Sequence, residues 1–192
     1  MTHPALQHLP KGWFHHGEQL LALLEQHRPA VVVELGTYLG ASAIAMARVL
    51  APWGGVIYCV DTWYGKPVRG KRWPMRLFAC ATNLIIADVN ASVRLIPAKT
   101  ADAARAWRGP AIDVLYVDAD HREAGVLADL RDWWPHVRSG GLIAGDDYDH
   151  PAYPGLNVAL DAFEAESGMA LQRVLTPETT PPDLRFVYGV KP

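Results

Sequence analysis

Cysteine is nearly absent. Cys59 and Cys80 are the two in a chain of 192 residues, and no C-x-x-C pair occurs. A disulfide framework or a thiolate zinc site is therefore without support. The two read instead as small buried hydrophobes in a reducing compartment. A basic excess is also missing: Lys and Arg total 18 against 20 Asp and Glu, a formal charge of -2. General nucleic-acid binding, which needs cations to neutralise a phosphate backbone, is disfavoured. No uninterrupted apolar run approaches the ~18 residues of a membrane span. The opening MTHPALQHLPKGW lacks the basic start and apolar run of a signal peptide. The expectation is a soluble cytoplasmic protein with no membrane partner. Charged residues make up only 20% of the chain and hydrophobic ones 50%. That rules out disorder and predicts a full core, because folding at this length hides roughly 70% of the unfolded surface.

The periodicity alternates. Residues 1–13 carry no pattern and read as a loose arm; Leu20, Leu23, Leu24 and His27 then mark a helix near 15–27. Short apolar strands are expected at Val31–Leu35, Val56–Val60, Val93–Ile96, Ile112–Val117 and Leu142–Gly145. Helices are expected at 40–51, 75–88, 100–107, 122–137 (closed by Ser139–Gly140–Gly141) and Val158–Glu166. Two closing strands are expected near 169–175 and 184–190. Strand–helix alternation implies parallel strands with helical crossovers on both faces. The predicted fold is α/β and Rossmann-like: a doubly wound, mostly parallel seven-stranded sheet ending in an antiparallel hairpin. It occupies one domain over residues 30–192, preceded by an arm and helix over 1–29. In such sheets ligands bind beyond the carboxyl ends of the strands, which directs attention to Glu34–Gly36, Asp61, Ile96–Thr100, Asp118–His121 and Asp146–Asp147.

The first turn, Glu34-Leu-Gly36-Thr37-Tyr38-Leu-Gly40-Ala-Ser42, lacks the G-x-G-x-x-G spacing of a dinucleotide site. Gly36 and Gly40 still let backbone approach a ligand, and a helix start follows to meet an anion. Asp61, 25 residues after Gly36 at the end of the second strand, suits a ribose diol. Glu34 places a negative charge where a pyrophosphate would sit and favours a cationic group. An adenosine ligand with an amino-acid tail fits, and S-adenosylmethionine is the candidate. The structural alternatives are tight packing for the glycines and a cap or turn role for Asp61.

VVVELGTYLGAS followed by VIYCVD resembles the first two motifs of the class I S-adenosylmethionine-dependent methyltransferases. The block IDVLYVDADH, DLRDWW and SGGLIAGDDYDHPAYPG is similar to a narrower set, the metal-dependent O-methyltransferases related to catechol and macrolide-sugar O-methyltransferases. The resemblance covers about residues 30–160. It implies that Glu34, Gly36, Thr37, Tyr38, Gly40 and Ser42 hold the methionine end, and that Asp61 and Thr62 hold the ribose. Thr100 would lie near the adenine, although Ala98-Lys99-Thr100 replaces the usual glycine-bearing turn. Asp118 would border the cofactor.

Asp118, Asp146 and Asp147 end two consecutive strands. Three acids at one sheet edge repel one another unless a cation neutralises them, and oxygen ligands suit Mg²⁺ or another hard divalent ion. The expected chemistry is metal-assisted O-methylation of a small diol, catechol or sugar-like acceptor. His121 is the expected base, since the resemblance puts a Lys or His at that place, with Asp120 as the alternative. Read on their own, these acids also serve as helix or turn caps, and His121 as a solvated first-turn residue. Trp63, Tyr64, Trp73 and Tyr148 flank the predicted mouth. His3, His8, His15 and His16 show no metal-ligand spacing and read as a solvated arm. A metal-dependent hydrolase using the Asp/His cluster, or a non-catalytic S-adenosylmethionine-binding protein, remain the rival readings. A homodimer is compatible with the chain but has no direct sequence signal.

Overall fold

The computed structural model describes residues 3–10, 14, 17–64, 75–175 and 185–192. Seven strands form one sheet: β1 Val31–Leu35, β2 Val56–Asp61, β3 Val93–Pro97, β4 Ile112–Val117, β5 Val137–Gly145, β6 Gln172–Leu175 and β7 Arg185–Val190. Their order is β3-β2-β1-β4-β5-β7-β6. The first five run parallel, and β7 pairs antiparallel with both β5 and β6. The helices are α1 Gly17–His27, α2 Ala41–Leu50, α3 Met75–Ile86, α4 Thr100–Ala106, α5 Glu123–Trp133 and α6 Pro154–Ser167. The order reverses between β1 and β4, so a crevice opens where their carboxyl ends diverge.

Strand parity divides the core into two layers. Val32, Val114 and Leu142 face α1 and α2, where Leu20, Leu24, Ile44 and Leu50 are fully or almost fully buried. Val33, Leu115 and Ile143 face α4, α5 and α6, against Leu130, Trp133 and Phe163. Strands covered on both faces read as continuous apolar runs, which is why Val31–Val33 and Ile112–Val117 show no alternation. In α2 every residue except Arg48 is buried. The Arg48 guanidinium instead reaches the carbonyls of Ala5 and Gln7, at 3.0 and 2.7 Å. The arm is thus not loose throughout: Pro4–Leu6 forms a single 3-10 turn with Ala5 buried.

Three boundaries differ from expectation by more than three residues. Helix α5 stops at Trp133, and a 3-10 turn carrying Pro135 follows over Trp134–His136; proline removes a donor and clashes with the preceding turn. Ser139–Gly140–Gly141 consequently belongs to β5 and does not close a helix. There Gly140 donates to the Lys191 carbonyl at 2.8 Å, and Lys191 returns a bond to Gly141. Helix α6 begins at Pro154, a position where the missing N–H costs nothing, and not at Val158. Among the described residues, no helix is long and apolar enough to cross a membrane.

Candidate functional site

Two contiguous clefts lie over the carboxyl ends of the strands, of about 700 and 860 Å³. Each is large enough for a drug-sized ligand. They share Gly36, Asp61, Ala119, His121 and Tyr153. The first extends over Thr37, Tyr38 and Ser42 to Asp118, Asp146, Asp147 and His150. The second extends over Thr62 and Tyr64 to Thr100, Asp120 and Asp129.

Glu34 is placed beneath the first cleft and does not line it. It is fully buried. The Thr37 hydroxyl donates to its Oε2 at 2.7 Å, and the Ser42 hydroxyl donates to its Oε1. The expected contact with a cationic ligand group is therefore screened by these two hydroxyls, and the carboxylate ties the turn to the start of α2. Burial pushes its pKa up from 4.5 to about 7, against the lowering effect of those hydroxyl bonds. A raised acid pKa means that the folded state holds the proton more tightly, so stability falls as pH rises from about 4.5 through about 7. The full penalty above that range is about 3 kcal/mol. The native chain is accordingly expected to lose stability relative to Glu34→Gln between pH 5 and pH 8. Urea unfolding across that range checks this; parallel pH profiles would contradict it.

Asp61 faces both clefts. Its Oδ2 accepts from the backbone N–H groups of Thr37 at 3.1 Å and Tyr38 at 2.8 Å, and its Oδ1 from that of Trp63 at 2.6 Å. Oδ1, with one bond accepted, retains acceptor capacity for a ribose hydroxyl, whereas the two turn N–H groups fill Oδ2. Tyr38 and Trp63 both have positive φ, 50° and 47°, a conformation that costs non-glycine residues about 1–2 kcal/mol. The surrounding bonds hold them there: the Trp63 indole donates to the Tyr38 carbonyl at 2.8 Å, and Trp63 is only 2% exposed. Trp63 thus anchors the turn and does not line an acceptor mouth. Tyr64 is exposed and borders the second cleft. Tyr148 packs at the α6 layer with the Arg173 guanidinium over its ring. Trp73, His15 and His16 lie outside the described residues. Gly36 and Gly40, at φ 89° and 87°, make the two bends that a side chain would resist.

At the far end of the first cleft, His121 Nε2 lies 3.2 Å from Asp118 Oδ1 and 3.1 Å from Asp147 Oδ2. All three side chains are largely buried. Burial raises the Asp118 pKa, assisted by Asp146 and Asp147 and opposed by His121. The hydrogen bond that its protonated ring donates to Asp118 raises that of His121 against its own burial, with the Asp147 charge assisting. One donor atom from each of Asp118, His121 and Asp147 lies within 4.8 Å of the others. Two carboxylates and an imidazole at that separation suit a divalent cation. Asp146 stands beside this trio, buried, with its Oδ1 accepting the Asp147 N–H at 2.6 Å. Asp120 points to the second cleft and is held by Arg122 in a two-pronged ion pair that lowers its pKa. Thr62 accepts the Tyr64 N–H at 3.1 Å. Thr100 heads α4 beside Asp129.

Tyr153, His150 and Asp129 were not expected here. The Tyr153 ring stacks on His121, with centroids 4.5 Å apart, and His150 packs 4.9 Å from Tyr153. Pro154 was the available signal for Tyr153, because it fixes the helix start immediately after that residue. For Asp129 the signal was its position on the apolar stripe of α5.

Comparison with known proteins adds to this geometry. Residues 33–148 match the family model described as a methyltransferase domain. The uncharacterized protein y4gI of Sinorhizobium fredii is 26% identical over 141 residues, 71% of this chain. The chain spans only about 15% of that relative's length. Cofactor-bound Rv0187 from MTB shares the fold with a TM-score of 0.78 at 20% identity, over 99% of this chain and 90% of that one. The O-methyltransferase TomG from Streptomyces achromogenes, solved in complex with SAM, gives 0.74 at 17% identity, over 100% and 91%. The family match runs from within β1 to just past β5 and contains every residue from Glu34 to Asp147 placed above; this chain belongs to the methyltransferase-domain family.

Proposed function

We propose that this chain transfers a methyl group from S-adenosylmethionine to a hydroxyl oxygen of a small acceptor, assisted by a divalent cation. The observation that carries this reading is the common wall of the two clefts. Gly36, Asp61 and His121 border both, so a nucleoside in the second and an acceptor in the first meet beside one imidazole. When bound, the sulfonium supplies the methyl group and the cation lowers the pKa of the acceptor hydroxyl. Asp61 holds the ribose, while the start of α2, whose first-turn N–H groups have no helical partner, faces the amino-acid end. Asp118 and Asp147, with Asp146 beside them, would hold the cation. His121 takes the acceptor proton at Nε2. Holding the two reactants in line is the main catalytic contribution of the protein.

The test is transfer of labelled methyl to catechol and to vicinal diols, with and without EDTA. Activity is expected to fall by about 100-fold or more in chelator and to return with added Mg²⁺ or Mn²⁺. Full activity in EDTA would remove the cation from the reading and leave the nucleoside site. Failure to bind S-adenosylhomocysteine would remove the reading itself.

A further inference from the structure

The face that α5 buries carries Val126, Asp129, Leu130 and Trp133. Three of these are apolar, as a packed helix requires. Asp129 is only 4% exposed, and burial pushes its carboxyl up to about 6, against the lowering bond from the Thr100 hydroxyl. A buried carboxyl is costly unless its acceptor capacity is used. The transfer chemistry described above leaves Asp129 without a role. Arg122, on the same cleft, is committed to Asp120 and does not neutralise it.

Asp129 lines the second cleft together with Ala98, Ala101, Ala119, Gly125 and Ala128. Those five carry at most a methyl group, so they leave room for a flat ring. Thr100 satisfies part of the carboxylate; a carboxylate offers about four lone-pair sites, and the rest are available to accept N–H groups from a bound ring. Bonds of this charge-assisted kind are the stronger ones.

We propose that Asp129 determines base specificity in the nucleoside cleft: its carboxylate accepts a hydrogen bond from the exocyclic amino group of adenine and disfavours a ring bearing a carbonyl there. This rests on the second cleft being the nucleoside site. Asp129→Asn keeps the shape and one acceptor oxygen for Thr100, and converts the other oxygen into a donor.

The experiment is calorimetry of the intact chain with S-adenosylhomocysteine and with S-inosylhomocysteine, which differ at that ring position. The native chain is expected to favour the adenosine compound by about 10- to 100-fold. Asp129→Asn is expected to lose that preference or reverse it, an outcome that a folding defect cannot imitate. Equal binding of both compounds by the native chain overturns this proposal alone. So does an unchanged preference in Asp129→Asn. Binding of neither compound by the native chain overturns the nucleoside site and this proposal together. Should Asp129→Asn fail to fold, the native preference still decides.

Discussion

Replacement of Gly36 by alanine is expected to destabilise the chain by about 4 kcal/mol or more and to abolish binding of S-adenosylhomocysteine. A Cβ on Gly36 would lie 2.0 Å from the Asp118 carbonyl oxygen, 2.6 Å from its carbon and 2.8 Å from Ala119 Cα. All three are backbone atoms, so no side-chain rotation relieves the clash. The strand ends cannot part freely either. Asp118 N–H donates to the Leu35 carbonyl and Gly36 N–H to that of Val60, both at 2.9 Å. Left-handed strain adds about 1–2 kcal/mol. Gly54→Ala is the control: it has φ 71°, but a methyl group there would meet nothing within 4 Å, so it incurs the conformational cost alone. Urea unfolding separates the two. Equal losses for Gly36→Ala and Gly54→Ala would refute the steric account.

Asp61→Ala is expected to weaken S-adenosylhomocysteine binding by at least about 100-fold. The loss has two parts. The carboxylate that would receive the ribose hydroxyls is removed, and the N–H groups of Thr37, Tyr38 and Trp63 lose their acceptor. Tyr38 and Trp63 can then leave their positive φ values, and the turn that shapes both clefts loosens. Asp61→Asn separates the parts. Its carbonyl oxygen can keep the Thr37 and Tyr38 N–H groups, but its amide nitrogen then faces the Trp63 N–H, so the stability loss is expected to be smaller than for Asp61→Ala, not absent, while affinity falls. Calorimetry with S-adenosylhomocysteine, paired with urea unfolding, reads both. Native affinity in Asp61→Ala would remove Asp61 from the nucleoside site.

The alternation of strands and helices was legible because both faces of the sheet are covered, so each strand is a short apolar run flanked by turns. Sheet order was legible only in kind. Nothing local in Arg185–Val190 shows that it lies between β5 and β6, since that pairing is made across the fold. The boundary at Trp133 was misplaced because Trp134 and Val137 continue the helical spacing of α5. Pro135 overrides that spacing through its backbone. Within the candidate site, residue types and strand ends pointed to Asp61, Asp118, His121 and Asp147, which the fold brings to one cleft. Direction was not legible: Glu34 lies within β1, whose parity sends it inward, and only the fold places Thr37 and Ser42 above it. Asp120 and His121 are adjacent in the chain, yet Asp120 borders only the second of the two clefts, held by Arg122, while His121 borders both, held by two carboxylates. Tyr153 enters the site from the start of α6, beyond the reach of any short motif.

The position of β7 bears on how the molecule is made. Its neighbour β5 is completed at Gly145, but the strand that covers its open side is Arg185–Val190. During synthesis on the ribosome, the edge of β5 stays unpaired while some forty further residues are added. β6 cannot shield that edge, because it joins the sheet only through β7. An unpaired, largely apolar strand edge is a template for association with other chains. A nascent chain halted before residue 185 would carry both clefts and yet be the species most prone to aggregate.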